Sequence, residues 1–165
     1  MPKPLTGLTA AAQPNARVLI LGSMPGAASL AQQQYYAHPR NAFWPLMAQL
    51  AGIAPTLPYP DRVTALNSRG IALWDVIASC QRSGSLDSAI EEGELNDLAG
   101  LIQRVPTLRA IAHNGGESAR HMRVTQALGL PVFKLPSTSP AHASWSFERK
   151  LAAWREVFAQ AGLLD

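Results

Sequence analysis

The chain has 165 residues, 47% hydrophobic and 15% charged, a balance that suits one domain burying roughly 70% of its unfolded surface and excludes a disordered or coiled-coil chain. Its net charge of +3 comes from 14 Lys and Arg against 11 Asp and Glu. Apart from Lys3, Lys134 and Lys150 every basic residue is an arginine, so nucleic acid is a permitted partner, although no basic tail marks one.

The lone Cys80 rules out an internal disulfide, an iron–sulfur cluster and a Cys-rich zinc site, and reads as a small buried residue after a strand. The N-terminus carries no continuous apolar stretch and no membrane-length apolar run follows, so a soluble, cytoplasmic chain of one domain (1–165) is expected.

In chain order, Arg17 to Ser23 (RVLILGS) predicts a strand. A long loop, Met24 to Asn41, follows, and loops of that length in compact domains tend to be functional. Then come a helix over Ala42 to Gly52, a Pro-rich surface connection over Ala54 to Asp61, and a strand over Gly70 to Val76. A helix over Glu94 to Arg104 precedes a strand over Leu108 to His113, a helix over Gly116 to Leu128 and a strand over Pro131 to Leu135. The last helix, Trp145 to Ala161, carries Trp145, Leu151, Trp154 and Phe158 as a core-facing stripe. None of the four strands alternates cleanly with polar residues, which predicts an α/β fold with a parallel sheet covered on both faces.

Ligands of such sheets sit beyond the carboxyl ends of the strands, where this chain places GSMPG (Gly22 to Gly26), WDV (Trp74 to Val76), HNGG (His113 to Gly116) and LPSTSP (Leu135 to Pro140). There is no Walker A loop, no GxGxxG after a strand and no GxSxG elbow, so nucleotide-cofactor and serine-hydrolase chemistry lose their basis. His113 and His121 stand eight apart with no carboxylate pair nearby, and no metal site is expected. Gly, Pro and Ser segments offer backbone N–H groups to a phosphate chain. Tyr35, Tyr36, Phe43 and Trp44 offer flat surfaces to a base, with Phe43 and Trp44 read first as core.

Gly22-Ser23-Met24-Pro25-Gly26, Tyr35 to Trp44 (YYAHPRNAFW), Gly70 to Asp75 (GIALWD), Asn114-Gly115 and Leu135 to Pro140 together resemble the hypoxanthine-DNA glycosylase branch of the uracil-DNA glycosylase superfamily. The HPxNxFW segment is also similar to that of the mismatch-specific uracil glycosylases. The resemblance runs in order from about residue 17 to 160. It implies a three-layer α/β sandwich around a short, mostly parallel four-stranded sheet, working as a monomer without metal or cofactor on DNA that contains deaminated bases. The chain departs from most of the superfamily at Met24, where Asp or Asn is usual, and at Leu135, where several members have His or Asn. The resemblance then makes Asn41 the catalytic residue. His142 stands where members usually have Asn.

The implied reaction is hydrolysis of the bond from a deaminated base, hypoxanthine or uracil, to deoxyribose, after the nucleotide has turned out of the stack. The transition state resembles an oxocarbenium ion, so water needs positioning more than deprotonation, and an amide suffices. By the same resemblance Asn41 holds the water, Tyr36 stacks on the base and Asp75 reads its edge, beside Gly22, Ser23 and Met24. Ser137, Thr138 and Ser139 meet the flanking phosphates, and Ala141 and His142 lie nearest the gap in the stack. Read without it, Asn41 is a helix N-cap, Ser137 a turn residue, Asp75 a cap and Asn114-Gly115 a turn. A non-catalytic DNA-binding module that kept the fold is the alternative, favoured by Met24 and Leu135.

Overall fold

The computed structural model describes residues 5–82, 91–142 and 144–164. Four strands, β2 (Val18–Gly22), β3 (Ile71–Asp75), β6 (Ala110–Asn114) and β7 (Val132–Leu135), form a fully parallel sheet in the order β3-β2-β6-β7. Alternate residues of these strands supply two separate cores. Val18, Ile20, Ile71 and Leu73 pack on one face against Phe43, Trp44, Leu46 and Met47 of α2 (Phe43–Ala51), Leu66 of α3 (Tyr59–Ser68), and Trp154 and Phe158 of α7 (Phe147–Gln160). Leu19, Leu21, Ala72 and Ile111 pack on the other against Leu98 and Leu101 of α4 (Leu98–Arg104). Phe43 and Trp44 are therefore core, 0% and 5% exposed.

A second, antiparallel sheet, absent from the sequence expectation, joins β1 (Leu5–Thr6), β4 (Ile77–Gln81) and β5 (Glu91–Leu95) in the order β1-β4-β5. The chain leaves β3 at Val76 and enters β4 within one residue, so Cys80 is buried inside a strand rather than after one. Pairing with β4 also claims Glu94 and Leu95, expected to be helical. Helix α4 starts only at Leu98, where the Asp97 carboxylate accepts from the Gly100 N–H at 3.0 Å.

Three further expectations change. The loop after β2 contains a short helix, α1 (Ala27–Gln32), ended by Gln33 in the left-handed conformation. The Pro-rich connection ends inside α3, because Pro60 sits at the start of that helix, where its missing N–H costs nothing. The last helix begins at Phe147 behind the Ser146 cap. Trp145 thus stands outside the apolar stripe, its ring covered by the Arg149 guanidinium at 3.7 Å.

The helix expected over Gly116 to Leu128 divides into α5 (Gly116–Ala119) and α6 (Met122–Gln126) around one buried imidazole. His113, 0% exposed, meets Ser118 Oγ with Nδ1 at 2.7 Å and Thr125 Oγ1 with Nε2 at 2.8 Å. Ser118 donates its only proton to the Leu21 carbonyl at 2.8 Å, so Nδ1–H donates to Ser118, while the Thr125 hydroxyl stands within reach of both Nε2 and the Met122 carbonyl, at 2.8 and 3.1 Å. The ring is neutral. Burial, reinforced by His121, lowers its pKa to about 4.

Between the ordinary histidine pKa and about 4, the unfolded chain binds this proton and the folded one does not. Stability from His113 is therefore complete above about pH 6.5 and declines toward pH 4, with a slope of at most about 1.4 kcal/mol per pH unit. Urea denaturation between pH 7 and 4 should lose that share of its slope in His113→Asn. An unchanged slope would refute the assignment.

Candidate active site

Register pairs Gly22 with Asp75 and Asn114 with Leu135, so the four parallel strands end side by side. The segments beyond those ends enclose a cavity of about 540 Å³, lined by residues 22–29, 35, 36, 38, 41, 75, 114–117 and 137–142. All the residues expected to meet a base or DNA lie on this lining. Among the described residues the lining includes no Lys or Arg, and its acids are Asp75 and Glu117.

The floor depends on a missing side chain. Asp75 is 4% exposed at the end of β3, and its carboxyl occupies the space that a Cβ on Gly22 would take, with the Tyr36 hydroxyl 3.5 Å from that point. Asp75 is followed by Val76 and β4 and not by a helix, so it is no helix cap. Its main-chain carbonyl accepts from Asn96 Nδ2 at 2.8 Å. Ser23 is buried, and its carbonyl accepts from the Ile77 N–H at 3.0 Å. Met24 is 6% exposed and belongs to the second core, so it backs the cavity with apolar surface.

Tyr35 and Tyr36 separate in role. Tyr35 is 4% exposed, and its hydroxyl donates to the Thr9 carbonyl at 2.8 Å; burial, with Asp75 nearby, drives its pKa far upward. Tyr36 is half-buried, and its ring stacks on Phe43 with centroids 4.2 Å apart. Its backbone is left-handed at φ +57°, a conformation that costs a tyrosine roughly 1–3 kcal/mol.

Asn41 stands just before α2. Its Oδ1 accepts from the Phe43 N–H at 2.9 Å, and its N–H donates to the His38 carbonyl at 2.9 Å. The N-cap of α2 is Ala42, one residue later than the sequence suggests, and Asn41 holds the first helical N–H from just outside while it also faces the cavity. His38 closes the same turn by accepting the Arg40 N–H on Nδ1 at 3.0 Å.

Thr138 is 1% exposed, and its polar groups face inward. Its N–H donates to Asn114 Oδ1 at 3.1 Å, its Oγ1 accepts from Asn114 Nδ2 at 3.0 Å, and its carbonyl accepts from the Ala42 N–H at 2.9 Å. Expected as a DNA contact, it is instead a clamp between two loops and the start of α2. Ser137 and Ser139 are half-buried, and their hydroxyls accept from the N–H groups of Ser139 and Ala141 at 3.1 and 3.2 Å, which leaves each O–H as a donor. Gly115 has φ +96°, and a Cβ there would lie 2.9 Å from that of Ser137. Ala141 is exposed; His142 is half-buried, its carbonyl held by Lys150 Nζ at 2.9 Å and its ring 6.2 Å from that of Trp145. Asn114 was legible only as a turn residue; its position as the last residue of a strand was the signal for it.

Comparison with known proteins agrees with this architecture. Residues 10–158 match the uracil DNA glycosylase superfamily. A hypoxanthine DNA glycosylase of Methanosarcina acetivorans is 37% identical over 153 residues, 92% of this chain and 96% of that protein. One of Methanosarcina barkeri is 34% identical over 87% of this chain and 91% of its own length. A solution NMR structure from Methanosarcina acetivorans, provisionally named a uracil DNA glycosylase, superposes with a TM-score of 0.86 at 35% identity, covering 97% of this chain and 99% of that one. With a match this long and a sheet whose strand ends form one cavity, the chain belongs to the uracil DNA glycosylase superfamily.

Proposed function

We propose that this protein is a monofunctional DNA glycosylase that releases hypoxanthine from DNA as the first step of base excision repair. The observation that carries the reading is the convergence of Asn41, Tyr36 and Asp75 on one cavity, in a chain similar to two hypoxanthine DNA glycosylases. The target atom is hidden in duplex DNA, so the nucleotide turns out of the stack and its base enters the cavity. The base departs with the electron pair of the glycosidic bond, leaving an oxocarbenium-like sugar. Water adds to C1′ and gives up its proton to solvent. Asn41 Oδ1 orients that water with the lone pair not used by the Phe43 N–H. Tyr36 presents to the base the ring face turned away from Phe43. Ser137 and Ser139, with the Gly115–Gly116 backbone, approach the flanking phosphates. Ala141 and His142 lie beside the gap left in the stack.

Asp75 supplies the discrimination. A carboxylate only accepts hydrogen bonds, hypoxanthine presents a ring N–H, and adenine presents a bare acceptor at the same position. Two acceptors facing each other in a buried site cost roughly 1–3 kcal/mol. The direct test is alkali cleavage of duplexes carrying hypoxanthine, uracil or xanthine. Release from none of the three would overturn the reading in favour of a non-catalytic DNA-binding module.

Two substitutions probe the roles. Asn41→Ala should cut the single-turnover rate at least about 100-fold, and it should cost about 1 kcal/mol of stability through the lost contact with Phe43. Asn41→Asp keeps that acceptor and should keep the stability. Full turnover by Asn41→Ala with an earlier melt would leave Asn41 as a cap alone. Asp75→Asn, able to donate as well as accept, should shift the hypoxanthine-to-uracil rate ratio toward uracil. An unchanged ratio removes Asp75 from recognition.

With no Lys or Arg among the described residues of the cavity lining, binding to lesion DNA should depend weakly on salt. A log–log slope of about −1 to −3 is expected, and a slope near −6 or beyond would mean an arginine-rich footprint elsewhere on the surface.

A further inference from the structure

The left-handed backbone of Tyr36 is held from three sides. The Tyr35 N–H donates to the Tyr59 hydroxyl at 3.0 Å, the Tyr35 carbonyl accepts from Trp44 Nε1 at 3.0 Å, and the Ala37 N–H donates to Ser29 Oγ at 3.1 Å. Three successive peptide groups are thus each pinned by a side chain from a different helix: α3, α2 and α1. The two peptides that flank Tyr36 are held by Trp44 and Ser29, which fixes its φ and ψ, and the Tyr59 hydroxyl holds the peptide before them, and so the φ of Tyr35 and the aim of the carbonyl that Trp44 takes. The ring so directed lies on Phe43 and brings its hydroxyl beside Gly22 and the Asp75 carboxyl.

Tyr59 differs from the other two pins. Trp44 is core and Ser29 lines the cavity, whereas Tyr59 stands outside it at the start of α3, in the stretch that the sequence reads as a surface connection. Its ring meets Trp44 edge-on at 6.2 Å, and the Arg62 guanidinium covers both rings, at 4.7 Å from Trp44 and 5.6 Å from Tyr59. Burial raises the pKa of Tyr59, which keeps the phenol protonated and able to accept the Tyr35 N–H.

We propose that Tyr59 is a positioning residue for base excision: its hydroxyl, through Tyr35, fixes the Tyr36 ring in the orientation that stacks on the extruded base. The role rests on the stacking function proposed above for Tyr36. Removing the hydroxyl leaves the Tyr35 N–H without its acceptor, frees the φ of Tyr35 and so loosens the contact of its carbonyl with Trp44 Nε1, one of the two that hold Tyr36. The ring then samples directions in which the base is no longer held against the water at Asn41.

The experiment is a double-mutant cycle on a deoxyinosine duplex, with parent, Tyr59→Phe, Tyr36→Ala and the double variant. Single-turnover rates at saturating enzyme, affinity for lesion-free duplex and thermal midpoints are measured for each. Tyr59→Phe should slow release about tenfold with affinity for lesion-free duplex unchanged, Tyr36→Ala should slow it at least as much, and the double variant should match Tyr36→Ala. Equal slowing by Tyr59→Phe in both backgrounds, or a lower melting point with an undiminished rate, would make Tyr59 a structural residue only and overturn the proposal. If Tyr36→Ala releases base like the parent, the stacking role of Tyr36 fails and this role with it. A damaging Tyr36→Ala beside a neutral Tyr59→Phe overturns the positioning role alone.

Discussion

The active-site half of the molecule hangs on the side-chain amide of Asn114. A parallel sheet leaves its strand ends side by side, but the loops beyond them have no reason of their own to converge. Asn114 supplies one, because its carbonyl oxygen takes the Thr138 N–H and its amino group donates to Thr138 Oγ1. Thr138, fixed at both groups, offers its carbonyl to Ala42 and so ties the start of α2 to the end of β6. The pairing is buried, where a lost partner leaves a polar group unsatisfied and the penalty exceeds the ordinary worth of one hydrogen bond. His113, one residue earlier, does the same for α5 and α6 with its two ring nitrogens. Two adjacent residues of one strand therefore set the positions of both loops that the DNA would meet.

The same economy bears on the two roles proposed for Asn41, holding the first N–H of α2 and orienting water. A cap must be an acceptor rigid enough to satisfy one N–H at the start of a helix, and a water-orienting group must be an acceptor rigid enough to fix one donor. A carbonyl oxygen has two lone pairs, and the contact with Phe43 that uses one of them immobilises the other. The sequence reading set cap against catalyst as rivals, and in the proposed mechanism the contact at the start of the helix becomes the means of holding the water. Met24 bears on this as well: at the position where most of the superfamily carries Asp or Asn, an apolar side chain packs into the second core. Asn41 is then the amide on the lining held by its cap contact beside Tyr36 and Asp75.

What the sequence disclosed follows from how local each signal is. The strands were legible because Val18 to Gly22 and Ala110 to Asn114 are buried on both faces and read as unbroken apolar runs. The antiparallel sheet was not, because β1 has two residues and β4 continues from β3 with no turn signal between them. The division of the helix after Asn114 was invisible for a different reason: what bends it is a buried imidazole that needs a hydroxyl at each end, a contact between elements. The site residues were legible by motif and their roles only partly. Thr138 sits in a run of hydroxyl residues that suggests a surface, yet its burial depends on Asn114, 24 residues away. Tyr59 carried no signal at all, since its partner Tyr35 lies 24 residues off and accounts for its hydroxyl only once the chain is folded.

The electrostatics of the cavity fit the entry of a base and oppose the entry of a phosphate. Asp75 on its floor and Glu117 at its rim are acidic, and no Lys or Arg is among the described residues of the lining. Arg120, three residues on, pairs with Glu117 at 3.1 Å but is itself 72% exposed, where such a pair is worth little and is screened by salt. A neutral base with ring N–H groups loses little in approaching a buried carboxyl and gains a hydrogen bond. A phosphodiester would lose its hydration and meet like charge. In the proposed reaction the phosphates stay outside, where Ser137 and Ser139 retain O–H donors and Gly116 has open space at the position of a Cβ. In the proposed reaction, neutral donors at the rim and an acid on the floor favour a nucleotide that enters base first.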